Sequence, residues 1–63
     1  MFKVGEHWKS RSGELVYIFQ IRDETDTHPI VGIDNKKRIQ RYTPKGSYIS
    51  DIKPHRNDLV ERV

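Results

Sequence analysis

The sequence has 63 residues, enough for a single domain, 1–63, but too few to enclose a ligand cavity of ~300 Å³ or more, so any working surface is expected on an outer face or in a shallow groove. It contains no cysteine, which excludes a disulfide framework and thiolate metal sites, and no apolar run near the ~20 residues of a membrane-spanning helix. Twelve Lys and Arg against nine acids give a net charge of +3, a mild bias toward anionic partners that selects none of them.

The chain opens with Phe2-Lys3-Val4-Gly5-Glu6-His7-Trp8 and no apolar stretch of signal-peptide type, so a cytoplasmic location is expected. Gly5-Glu6 suits a sharp turn, after which Val4 and Trp8 are expected to point the same way and seed a core. Ser12-Gly13 turns the chain into Leu15-Val16-Tyr17-Ile18-Phe19, the centre of the fold. β-Branched and aromatic residues dominate that run, which favours strand over helix. Leu15, Tyr17, Phe19 and Ile21 fall on one face and Val16 and Ile18 on the other, with Tyr17 and Phe19 assigned to the core.

Asp23 to His28 is polar throughout and reads as a mobile loop. Pro29 starts the next strand, where a missing N–H does no harm, and Gly32 within Ile30-Val31-Gly32-Ile33 marks a bulge or a close backbone approach. Asp34-Asn35-Lys36-Lys37 and Pro44-Lys45-Gly46 are further turns, and Pro54 excludes a long C-terminal helix. Strands are thus predicted near 6–11, 14–22, 29–34, 37–43, 47–50 and 58–62, with a single 3₁₀ turn before the last one.

Enzyme chemistry is not expected. His7, His28 and His55 lack the local spacing of a metal-binding pair, no serine sits in a nucleophile elbow, and no Gly-rich loop precedes a helix. No cofactor, metal or membrane partner is called for. The candidate partner-binding residues are Lys36, Lys37, Arg38, Arg41, Tyr42, Lys45 and Tyr48. Cations spread over a face meet phosphates, and tyrosines beside them stack on bases or anchor a protein contact. The same Lys and Arg run also suits an edge strand kept soluble by charge. In an extended strand Arg38, Gln40 and Tyr42 share one face while Ile39 and Arg41 share the other, so the cations form no continuous stripe.

Phe2-Lys3-Val4-Gly5, the Arg11-Ser12-Gly13 turn, His28-Pro29-Ile30-Val31-Gly32, Tyr42-Thr43-Pro44-Lys45-Gly46-Ser47-Tyr48 and the ending His55-Arg56-Asn57-Asp58-Leu59-Val60 span most of the chain. With these segments it resembles short phage- and prophage-encoded proteins of unknown function that have an SH3-like (KOW- or Tudor-like) β-barrel. The opening is KOW-like, with Glu6 where such modules usually carry Asp. The resemblance implies a small barrel from a mobile element and brings no catalytic residue with it. The expectation is therefore an all-β chain, a small SH3-like barrel of five to six short antiparallel strands. It would bind a host or phage protein through the 23–28 loop, Tyr42, Tyr48 and the 36–41 hairpin. Nucleic-acid binding by the basic 36–45 hairpin is the alternative, and pairing of the 37–43 edge would allow a dimer.

Overall fold

The computed structural model describes residues 2–23 and 25–63, so Glu24 of the polar loop lies outside it. It contains five strands, β1 (His7–Ser10), β2 (Leu15–Ile21), β3 (Ile30–Asp34), β4 (Ile39–Tyr42) and β5 (Leu59–Arg62). They form one antiparallel sheet in the order β4-β3-β2-β1-β5. The sheet is not closed: β4 and β5 are its edges. The turn that follows β4 reaches the start of β5, where the Leu59 N–H donates to the Gly46 carbonyl at 2.9 Å.

Two predicted elements take other forms. Residues 47–50 make no strand, because Thr43 and Ser47 close a tight turn through Thr43 N–H to Ser47 O (2.9 Å). The next amide, of Tyr48, is taken by the Asp58 carboxylate at 2.8 Å, so a side chain replaces a neighbouring strand. In place of the 3₁₀ turn stands an isolated turn in which the Asp58 amide donates to His55 O at 3.0 Å, and there is no 3₁₀ element among the described residues.

The core lies on the inner face of the sheet and consists of Phe2, Val16, Ile18, Ile30, Tyr42 and Leu59, with Trp8 and Tyr48 packed against it. Val16 and Ile18, the smaller set on β2, point inward. Leu15, Tyr17 and Phe19 point out, so Tyr17 and Phe19 are not core residues. Val16 and Ile18 pair with Asp34 and Gly32, and beyond them a bulge shifts the register between Ile18 and Gln20, which leaves Phe19 without a partner and pairs Ile21 with Ile30. Val4 is likewise exposed. Phe2 takes the expected core position, its ring 4.3 Å from that of Trp8. Glu6 fixes that entry by accepting the Lys3 amide and the Trp8 indole N–H, each at 3.0 Å.

Gly32 permits the closest approach within the sheet: a Cβ there would stand 2.5 Å from Val16 Cγ1 and 3.1 Å from Tyr17 O. Gly46 combines φ +87° with a Cβ position 2.5 Å from Phe2 Cζ, whereas Gly13, at φ +95°, has open space around it. Alanine at each position should separate the two effects in urea unfolding. Gly13→Ala is expected to cost about 1 kcal/mol from backbone strain alone. Gly46→Ala should cost at least about 2 kcal/mol, since overpacking adds to the same strain. Equal losses at the two positions would refute the packing account.

Candidate functional site

The β3–β4 turn carries most of the predicted cations, and one buried carboxylate shapes it. Asp34 Oδ1 accepts the Lys36 and Arg38 amides, each at 2.9 Å, an arrangement that holds the intervening Lys37 at φ +65°. Asp34 Oδ2 accepts Arg38 Nε at 2.9 Å and Gln40 Nε2 at 3.3 Å. Gln40 in turn accepts the Tyr48 hydroxyl proton at 2.9 Å. Burial acts to raise the Asp34 pKa, but the backbone and side-chain N–H donors of Arg38 and Gln40 outweigh it and hold the carboxyl below its ordinary range.

Asp58 plays the matching part on the opposite wall. Its Oδ1 accepts the Tyr48 amide at 2.8 Å, and its Oδ2 accepts the His55 amide at 2.9 Å and Arg11 at 3.4 Å. Here too burial pushes the pKa up and is outweighed, chiefly by the Tyr48 and His55 amides, so the group stays low. Tyr48 is thereby held at both ends, its amide on Asp58 and its hydroxyl on Gln40. Its ring lies 5.0 Å from His55, stacked, and 6.0 Å from Tyr42.

Two open grooves meet at Gln40 and Tyr48. The first, of about 410 Å³, is walled by Glu14, Lys36, Arg38, Arg56 and Asn57. The second, of about 540 Å³, runs along Ile39 and Arg41 to Asp26, Thr27 and His28. Of the residues singled out from sequence, the structure thus brings Lys36, Arg38, Arg41 and Tyr48 to one connected surface. Lys37 and Lys45 are exposed but line neither groove.

Tyr42 is a correction. It is 1% exposed and sits in the core, where burial first, and the Asp34 carboxylate second, hold its phenol far above the ordinary pKa. It faces inward with Gln40 because the register pairs it with Ile30, itself a core residue. The arginines are also less free than the sequence implied. Arg38 pairs with Asp34 at 2.9 Å and lies 3.7 Å from Glu14, and Arg41 reaches Asp26 at 3.0 Å. Lys36, Lys37 and Lys45 make no ion pair with any described residue.

Asp26, Thr27 and His28 line the second groove from the expected 23–28 loop, and Gln40 lies within the expected 36–41 hairpin, whereas Arg56 was not anticipated in the groove. Also unanticipated are Ile49 and Ile52, the latter 91% exposed, which line a separate apolar cleft with Pro54 and His55. Two isoleucines in an otherwise polar, Pro-bounded connection were the available signal. The outer face of the sheet is apolar as well: the register aligns Ile39, Ile33, Tyr17 and His7 across four strands, with the His7 and Tyr17 rings 4.9 Å apart.

Because Asp34 and Asp58 titrate lower when folded than unfolded, the stability they contribute is complete above the unfolded pKa near 3.9 and is lost as pH falls through the folded values. Urea unfolding between pH 3 and 7 should show a plateau above about pH 5 and a decline toward acid. Asp58→Asn, which keeps one acceptor of two, should cost about 2 kcal/mol at pH 7 and flatten the acid decline. A variant with an undiminished pH slope would show that Asp58 is not a source of it. Comparison with protein-family models, with curated proteins and with solved structures finds no match to this chain.

Proposed function

We propose that the chain is a non-enzymatic binding module of SH3-like barrel type, a phage or prophage accessory protein that grips a segment of a host or phage protein in the groove floored by Gln40 and Tyr48. The observation that carries this reading is the fixing of Tyr48 by hydrogen bonds at both ends, 2.8 Å from its amide to Asp58 and 2.9 Å from its hydroxyl to Gln40. An aromatic already immobilised loses little rotamer entropy on binding, which is what an interface anchor needs. The barrel part of the reading is supported by the strand order, with β5 beside β1, and by the Gly46–Leu59 bond that ties the turn after β4 to the start of β5. A cytoplasmic site of action belongs to the same proposal.

Nucleic-acid binding is the second reading, favoured by Lys36, Arg38 and Arg56 lining the same groove. It is weakened by the acids that already neutralise Arg38 and Arg41, and by the burial of Tyr42. Titration of labelled protein with mixed short DNA and RNA at two salt concentrations separates the two. Three cations on phosphates would give a log K against log salt slope of about −2 to −3. The protein-binding reading expects no such response. It expects instead that a host or phage protein retained by the wild type is lost with Tyr48→Ala and kept with Tyr48→Phe. Retention by Tyr48→Ala at wild-type level would overturn the assignment of the groove.

A further inference from the structure

We infer that the free edge of β4 at Ile39–Arg41 is a strand-addition site for an extended peptide with an acidic residue two positions before an apolar one. The inference rests on the groove reading above and adds to it the backbone and the side-chain chemistry of the ligand.

The backbone geometry follows from the ladder. The Asp34 amide donates to Arg38 O at 3.0 Å, so Asp34 and Arg38 are a hydrogen-bonded pair. Alternation then makes Gly32–Gln40 and Ile30–Tyr42 the next hydrogen-bonded pairs of this regular register. The N–H and C=O groups of Ile39 and Arg41 therefore point away from β3, toward the open side of the sheet. The next residue to face that way, Thr43, is already satisfied: its amide donates to Ser47 and its carbonyl accepts from Gly46, at 2.9 and 2.8 Å. Two residues, and four backbone groups, have no hydrogen-bond partner among the described residues and lie between two closed turns.

The usual guards against edge pairing are a proline, a lysine or a covering loop. Within Ile39–Arg41 the only guard is Arg41, and Ile39 is 61% exposed. The second groove runs along this edge, so a peptide has room to lie there.

Side-chain complementarity sets the sequence of the occupant. In an antiparallel addition the ligand residues opposite Ile39 and Arg41 share the outer face with them. Opposite Ile39 an apolar side chain extends the Ile33–Ile39 row. Opposite Arg41 a carboxylate is favoured as a cross-strand pair of opposite charge, since Arg41 has only a shared carboxylate, that of Asp26, which also pairs with Arg22, both at 3.0 Å. Read along the ligand, this is acid-x-apolar. A second copy of this chain fits less well. Two-fold pairing centred on Gln40 sets each Arg41 against an Ile39, and pairing centred on Arg41 opposes two guanidinium groups. An open edge about 10 Å long is also short for the ~800 Å² per partner of a standard interface.

The test uses ¹⁵N-labelled protein and the capped peptide acetyl-Thr-Glu-Thr-Val-Thr-amide. In the free protein the Ile39 and Arg41 amides should exchange with solvent faster than those of Gln40 and Tyr42. At saturating peptide the exchange of Ile39 and Arg41 should slow by on the order of tenfold, while Gln40 and Tyr42 change little. N-methylation of the Glu and Val amides should abolish binding, and N-methylation of the central Thr should not. Replacing Glu by Lys in the peptide should weaken it. Shifts at Gln40 and Tyr48 without protection of Ile39 and Arg41 would overturn strand addition and leave the groove reading standing. Absence of any shift at millimolar peptide would overturn this ligand class. Concentration-dependent protection of Ile39 and Arg41 without peptide, with a dimer in light scattering, would assign the edge to a second copy and overturn the inference.

Discussion

The structure depends on the Asp58 carboxylate. The connection between β4 and β5 contains no regular element, and ordering each residue of such a segment costs about 1–2 kcal/mol of backbone entropy. Asp58, buried where that connection meets β5, gathers the Tyr48 and His55 amides and the Arg11 guanidinium onto two oxygens. A buried carboxylate is tolerable only when its oxygens are satisfied, and here the donors that satisfy it are those that need fixing. The same contact places Tyr48 over the core. From there hydrogen bonds run through Gln40 to Asp34 and Arg38, joining the β4–β5 connection to the β3–β4 turn.

This network explains why the surface is less cationic than a count of Lys and Arg suggests. Arg11, Arg38 and Arg41 each have a carboxylate within reach, so part of the positive charge is spent on internal structure. Exposed pairs of this kind contribute little stability, typically 0–1 kcal/mol, but they orient long side chains. The groove at Gln40 and Tyr48 is consequently of mixed charge, with Lys36 and Arg56 on one wall and Asp26 on another. That composition suits a polypeptide, which offers both signs and apolar side chains, better than a uniform row of phosphates.

The sheet itself is strongly divided. One face carries a compact core centred on Tyr42 and Ile18, and the other leaves Leu15, Tyr17, Phe19 and Ile39 in contact with water. A chain this short has too few residues to cover both faces, and surface scaling makes that a general property of domains of this size. The bulge at Phe19 leaves that aromatic unpaired on the outer face, and Ile21 beyond it pairs with Ile30 but stays exposed.

Much of the fold was legible in the sequence. The turns at Gly5, Gly13 and Gly46 came from residue types that permit positive φ, and all three show it. Strands β1 to β5 lie within predicted segments because period-2 patterning and β-branched residues are local properties. The division of β4 into Gln40 and Tyr42 on one face, Ile39 and Arg41 on the other, was equally local and held. Only the tertiary structure decided which face of each strand is buried. Alternation defines two faces without ranking them, and the smaller set on β2, Val16 and Ile18, became the core because Phe2, Ile30, Tyr42 and Leu59 from other segments pack on that side. For the same reason Tyr42 is core and Tyr48, in a segment read as strand, became the fixed aromatic of the groove. Asp34 and Asp58 looked like ordinary turn acids. Their role depends on amide donors brought together by the fold, and a linear pattern cannot express that.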